Sequence, residues 1–240
     1  MSLIVLEGVT KRYRAAGEEV VALHPVNLSI GQGEFAAVVG PSGSGKSTLL
    51  SILGAMNTPT AGRLVVDGID VYALDEERRA DFRREYVGFV FQQLQLIPYL
   101  SALENVMLPL VVTGLGKKVQ GEMAGQALES VGLGGKALRL PNELSGGEQQ
   151  RVAIARAIVN EPPVLLADEA TGNLDSRTGE NVMSVFEDLN SKGLTIVIVT
   201  HNQDNCRYAG RILDMADGRL WERAAAGTTA RVAHEPRMAC

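Results

Sequence analysis

The residues that most clearly carry chemistry run from Gly40 to Ser47: Gly-Pro-Ser-Gly-Ser-Gly-Lys-Ser. They fit the pattern glycine, four residues, glycine-lysine-serine/threonine. An apolar run, Phe35–Val39, precedes them, and Thr48–Leu53 follows. These flanks predict a strand, then the loop, then a helix, the setting in which such a loop cradles phosphates. Gly40, Gly43 and Gly45 let the backbone turn tightly and bring its N–H groups close to an anion. The helix N-terminus adds the positive end of its dipole. Lys46 then reaches the β- and γ-phosphates of a nucleotide, and the Ser47 hydroxyl binds Mg²⁺.

A second group is acidic. Asp168 and Glu169 close the apolar run that starts at Val164. Neighbouring strand residues point to opposite sides, so one carboxylate can face Mg²⁺ while the next faces an attacking water. Asp168 is the expected metal ligand and Glu169 the expected base. The alternative is a solvated acidic pair at a helix start, favoured by the dipole. His201 follows the run Thr195–Thr200, at the sheet edge where ligands bind in open α/β folds. It is placed to meet a γ-phosphate, although a lone histidine is more often structural.

The stretch Leu144–Arg151 holds Ser145, Gly146, Gly147 and Glu148. Ser145 and Glu148 form a capping-box pattern, and the two glycines leave bare N–H groups at a helix N-terminus, an anion site. The box alone would describe an ordinary helix start. The chain thus has two phosphate-binding helix N-termini but one P-loop, and the second site is expected to serve another copy of the chain. Tyr13 is either a ring that stacks on adenine or a strand aromatic covering a sheet edge.

Alternating apolar residues predict strands at Leu3–Leu6 and Val20–Leu23, joined by a turn at Ala15–Gly17, and further strands at Arg63–Asp67 and Val87–Phe91. Asp75 caps a short helix running to Arg84. From Ser101 the period becomes helical. Ser101 and Glu104 form another capping box, Pro109 breaks the helix near Leu108, and a second helix runs from about Lys117 to Val131. This helical segment has the apolar residues for a small core of its own, or for docking a partner. A buried helix is expected over Glu148–Val159, buried strands at Val164–Asp168 and Thr195–Thr200, and a hairpin around Asp217-Gly218. Buried strands alternating with helices imply an α/β fold with a mostly parallel sheet covered on both faces.

Composition narrows the class. At 240 residues and 45% apolar content, the chain is one large domain or a domain with a subdomain. The net charge of −5 gives no sign of a basic nucleic-acid surface, so no nucleic-acid partner is expected. Its two cysteines, Cys206 and Cys240, lie far apart and imply a reducing compartment without a disulfide framework. No uninterrupted apolar run reaches the length of a membrane span, and the start of the chain is too short and acidic for a signal peptide. The expected location is cytoplasmic, soluble or peripheral.

Together these motifs resemble the nucleotide-binding subunit of an ABC (ATP-binding cassette) transporter, over roughly residues 1 to 222. Gly40–Ser47 resembles its Walker A loop, Leu144–Glu148 its signature, Val164–Glu169 its Walker B strand with the catalytic glutamate, and Asn173–Asp175 its D-loop. The resemblance implies a P-loop NTPase (RecA-like) core, an N-terminal antiparallel β subdomain and a helical subdomain inserted at about 93–160; the stretch beyond it, 223–240, has little apolar mass and is expected to be a disordered tail. It implies ATP and Mg²⁺ as cofactors. Gln92 would be the Q-loop glutamine, touching Mg²⁺ and the attacking water. Tyr13 would stack on adenine, and His201 would be the switch histidine. Ser42, Ser44 and Thr48 join the loop glycines around the phosphates. Two copies would sandwich ATP head to tail, each nucleotide meeting one chain's Walker motifs and the other's Ser145–Glu148 and Asp175. Phe89–Gln92, Ala102–Val106 and Thr171–Gly179 are similar to the MacB/LolD/FtsE-type group, which implies an integral-membrane permease partner of MacB type and a place on the inner face of the membrane. Ala170 departs from the family's usual proline. A small residue there leaves the carboxylates in place. A non-transport ABC ATPase acting on nucleic acid or ribosomes, or a nucleotide-gated regulatory module, is the alternative. The short helical insertion and lone cassette disfavour the first, and the intact Glu169 the second.

Overall fold

The computed structural model describes residues 2–15 and 18–223. Most of the expected Ala15–Gly17 turn and all of the expected tail but Arg223 lie outside the described residues. The chain opens with β1 (Ser2–Ala15) and β2 (Glu18–Gly31), far longer than the short runs expected. Only their inner halves carry buried apolar residues, Leu3, Ile4, Leu6 and Val9 on one and Leu23, Val26, Leu28 and Ile30 on the other. Their outer halves are mostly exposed, and antiparallel pairing continues to Ala15 opposite Glu18, through several register shifts. Backbone pairing, not burial, extends these strands, so the side chains alone do not mark their length. With β4 (Ala61–Val66) and β5 (Ile69–Asp70) they form an antiparallel sheet in the order β2-β1-β4-β5.

The second sheet holds six strands in the order β10-β9-β3-β8-β7-β6. Its members are β3 (Phe35–Val39), β6 (Val87–Val90), β7 (Val164–Asp168), β8 (Thr195–Thr200), β9 (Arg211–Ala216) and β10 (Arg219–Glu222). All neighbours run parallel except the β9–β10 hairpin. The central strands alternate between two cores. Ala37, Leu165 and Ile198 face one, while Val38, Leu166 and Val199 face the other. Burial on both faces is why these strands read as unbroken apolar runs.

Helix α1 (Lys46–Leu53) lies in the core shared with the antiparallel sheet, burying Leu49, Leu50, Ile52 and Leu53. Helix α2 (Glu76–Tyr86) is capped by Asp75 and adds Phe82 to that core. Between β6 and β7 come α3 (Ala102–Met107), α4 (Lys117–Ser130) and α5 (Gly146–Ile158). The Ser101–Glu104 capping box forms, and α3 passes into a 3₁₀ turn from Leu108, next to Pro109. Val106, Leu110, Leu128 and Ile154 from this segment share one apolar cluster with the far sheet face and with α6 (Ser176–Ser191). The segment is therefore anchored to the sheet rather than closed around a core of its own. Among the described residues, no helix is long and apolar enough to cross a membrane.

Candidate functional site

Parallel strands bring their carboxyl ends to one edge. There β3 leads into Gly40, β6 into Gln92, β7 ends in Asp168 and β8 leads into His201. The loop after β3 is shaped by glycine. A Cβ at Gly40 would lie 2.0 Å from the Met215 carbonyl oxygen. Gly45, the N-cap of α1, has φ 106°, and a Cβ there would lie 2.6 Å from the Ala22 carbonyl oxygen. Neither position admits a side chain. Lys46 is buried and spans the loop, its Nζ donating to the carbonyls of Gly40 at 2.8 Å and Pro41 at 2.9 Å.

Ser47 Oγ donates to Asp168 Oδ1 at 3.3 Å. Burial pushes the Asp168 carboxyl above its ordinary range, the Ser47 hydrogen bond opposes that rise, and the neighbouring Glu169 charge adds to it. Glu169 adopts φ 46°, a left-handed backbone uncommon for a residue with a side chain. Its amide donates to the Val199 carbonyl at 3.0 Å. Its Oε2 lies 2.7 Å from His201 Nδ1. The carboxylate is mostly enclosed and the imidazole mostly exposed, with side-chain exposures of 15% and 57%.

Lys46, Ser47, Glu169 and His201 line a cleft of about 740 Å³, ordinary for a small-molecule site, while Gly40 and Asp168 do not line it. Ser42, Gly43, Gly45, Lys46, Ser47 and Thr48 form one wall, with Gln92, Glu169 and His201 facing them. Ser44 does not line it; its hydroxyl is buried next to Gly40. Tyr13 does not line it either. It stands opposite Val20 in the β1–β2 ladder, its hydroxyl accepting from Asn57 Nδ2 at 2.6 Å, with Lys11 Nζ 5.0 Å from the ring centroid.

Two parts of the cleft escape sequence reasoning. Val20, Val21 and Ala22 of β2 form one side, and Asp217-Gly218 of the β9–β10 turn another. The turn is bolted to the loop: Gly218 N–H donates to the Ser44 carbonyl at 2.9 Å, and the Gly218 carbonyl accepts from His24 N–H at 2.9 Å. The one signal for β2 was two adjacent valines in an otherwise polar half-strand. For the turn there was none, since an Asp-Gly hairpin accounts for itself.

Ser145–Glu148 and Asp175 are not brought into this cleft. Ser145 caps α5 in a closed capping box, and Ser145 and Gly146 are exposed. Glu148 is held down to about 2 by the Lys136 ammonium, with help from the Ser145 amide. Gly147 packs so closely on α6 that a Cβ would lie 2.3 Å from Thr178 Cγ2. Asp175 caps α6 by accepting from the Thr178 amide at 3.0 Å. The chain thus carries a phosphate-type cleft at one place and an exposed helix N-terminus at another.

A glycine-built loop between strand and helix, with a Ser–Asp contact beside it and an acid–imidazole pair across the cleft, defines a P-loop nucleotide-binding fold. The pattern of the family described as "ABC transporter" matches residues 23–172, and the chain belongs to that family. It is 48% identical over 218 residues to the ABC transporter ATP-binding protein YknY of Bacillus subtilis, covering 91% of this chain and 95% of YknY. It is 45% identical over 218 residues to the macrolide export ATP-binding/permease protein MacB of Burkholderia cenocepacia, covering 91% of this chain and 32% of that longer protein. Among solved structures, the ATP-binding cassette MJ0796 of Methanocaldococcus jannaschii, a dimer in a post-hydrolysis state bound to ADP and Pi, superposes with a TM-score of 0.83. The match has 44% identity and covers 92% of this chain and 100% of that one.

Proposed function

We propose that this chain is the ATP-binding, ATP-hydrolysing subunit of an ABC transporter, working as a head-to-tail dimer that drives an integral-membrane permease from the inner face of the membrane. The observation that carries this reading is the separation of two half-sites on one chain. The cleft gathers the phosphate loop, Glu169 and His201 on one side of the chain, and the exposed Ser145–Gly146 helix end lies outside it. A second copy supplies each with what it lacks. The dimeric cassette bound to ADP and Pi supports this arrangement, and the relative that joins ATP-binding and permease functions supports the partner. Export, lipoprotein release or mechanical work on the outer side are the tasks the subgroup resemblance favours.

In this mechanism the loop amides and Lys46 hold the β- and γ-phosphates, Lys46 exchanging its two carbonyl acceptors for phosphate oxygens. The adenine rests against the Val20–Val21 stretch, with Tyr13 on Val20's face of the ladder. Ser47 and Asp168 fit Mg²⁺: they offer adjacent oxygen donors of the kind a hard cation takes, and Asp168 is buried enough to favour a counter-charge. With Gln92 they would hold it, and bound there it offsets charge on the phosphate oxygens. Glu169 orients the attacking water and takes its proton. His201 fixes the Glu169 carboxylate through Nδ1, and its ring lines the cleft on the side where the γ-phosphate would lie.

The Glu169→Gln variant tests this directly. It should bind ATP normally, lose hydrolysis by a factor on the order of 10² or more, and sediment as a dimer in saturating ATP-Mg²⁺. A variant that stays monomeric under those conditions would count against the sandwich.

A further inference from the structure

Glu169 and His201 face each other from the ends of two different strands, and each is followed or preceded by a threonine that does not line the cleft. Thr171 lies two residues after Glu169, and Thr200 lies just before His201. Between them sits Asn205, 7% exposed, on the 3₁₀ turn Gln203–Tyr208. Its Nδ2 donates to both hydroxyls, to Thr171 Oγ1 at 2.9 Å and to Thr200 Oγ1 at 3.2 Å. Thr200 Oγ1 also accepts from the Asn202 amide at 3.0 Å. We propose that Asn205 is a positioning residue for hydrolysis: its buried carboxamide ties the segment after Glu169 to the segment around His201, and so sets the distance between those two side chains.

Three features make the tie consequential. The Glu169 backbone is left-handed, a conformation that persists only where the surroundings over-determine it. Toward the C-terminal side its local restraint is a turn, with the Gly172 amide on the Glu169 carbonyl at 3.0 Å. The Asn205–Thr171 bond adds a restraint from outside that turn. On the other side, His201 is mostly exposed and has little packing to fix it, so the position of its backbone rests on Thr200 and the turn that follows. One buried amide group, using both its Nδ2 protons, restrains both segments. A buried polar side chain is costly unless satisfied, and here its donors are spent on linking these two loops. Asn205 does not line the cleft, so its effect on turnover acts through Glu169 and His201.

The proposal rests on Glu169 and His201 being the hydrolytic pair. The test is steady-state ATPase kinetics on Asn205→Leu, Thr171→Val and the double variant, with Thr171→Ser as the conservative control and thermal unfolding alongside. Leucine matches asparagine in shape, and Thr171→Val serves should the Asn205 variant fail to fold, since Thr171 is only partly buried. Each single variant should lower kcat by about ten- to a hundred-fold, as small misplacements of reacting groups do, with KM for ATP unchanged. Thr171→Ser should keep the wild-type rate. The double variant should be no slower than the slower single variant, because both remove the same link. Wild-type kcat in the single variants, or losses that multiply in the double, would overturn the proposal. Glu169→Gln measured in parallel separates the two levels. If that variant loses turnover while Asn205→Leu and Thr171→Val do not, the positioning role alone falls. If it keeps turnover, the pair's assigned chemistry falls and the positioning role with it.

Discussion

At the scale of single residues, the lysine of the phosphate loop is the sharpest case. Lys46 is buried, and its ammonium is satisfied by two loop carbonyls rather than by a carboxylate. It is held where it can turn to a phosphate without first breaking an ion pair. Lys46→Ala should therefore abolish ATP hydrolysis while leaving the unfolding midpoint within a few degrees, since the loop shape is set by Gly40 and Gly45. Wild-type turnover in that variant, measured by phosphate release, would sink the assignment of this loop. Most of the residues at this scale were legible in the sequence. Gly40–Ser47, Asp168, Glu169 and His201 were all singled out from residue type and spacing, because phosphate and water chemistry demand particular groups at strand ends. Gln92 was legible only through the family resemblance, since a glutamine among other polar residues has no signature of its own. Asn205 was not legible at all. Its importance lies in two hydroxyls 34 and 5 residues away, and nothing in local sequence announces such a partner.

At the scale of elements, the unbroken apolar runs gave the buried strands within a residue or so, and the Ser-x-x-Glu patterns gave the helix starts. The first strand pair was read from its apolar runs Leu3–Leu6 and Val20–Leu23, but its full extent was not, because ladder hydrogen bonds carry β1 on to Ala15 where burial has ended. The strand at Val20–Leu23 was legible, but nothing in it marked Val20–Ala22 as a side of the cleft. Helix α5 shows a contact of this hidden kind: Lys136 reaches Glu148 from 12 residues upstream. The hydrogen bond from the Lys136 ammonium, more than the cap itself, holds the Glu148 carboxyl at about 2, below its usual 4.5. An acid depressed in the folded state adds stability that is present above its unfolded pKa and lost as pH falls through the folded one. For Glu148 that window runs from about 4.5 down to about 2. Lys136→Ala should raise the Glu148 pKa toward its ordinary value and flatten its share of the acid loss. Because Lys136 is about half exposed, the effect on stability near neutral pH should stay below about 1 kcal/mol and shrink in high salt. Carboxyl NMR titration of Glu148 checks the first outcome, and an unchanged midpoint would mean that Ser145 alone sets it.

At the scale of the whole molecule, the two half-sites decide how activity depends on pairing. In a head-to-tail dimer each nucleotide meets the P-loop of one copy and the α5 start of the other, so a defect in either half can be placed on separate chains. Lys46→Ala removes the cleft's lysine. Gly146→Asp puts a negative charge at the exposed helix N-terminus, where it would repel a phosphate. The fold should accept it, because a Cβ at Gly146 would lie 3.4 Å from Leu174 Cδ2, an ordinary contact. Each variant alone should be inactive. Mixed together they should recover activity, because a mixed dimer concentrates both defects in one composite site and leaves the other built from an intact loop and an intact helix start. Random pairing makes about half the dimers mixed, each with one sound site of two, so the ceiling is about a quarter of the wild-type rate if the sites work independently. Recovery should also require ATP concentrations that support dimerisation and should rise with total protein, which separates it from residual activity in either variant. A mixture that stays inactive at every ratio, with both proteins folded and the Gly146 variant still binding nucleotide, would mean that the cleft and the α5 terminus do not meet across a dimer.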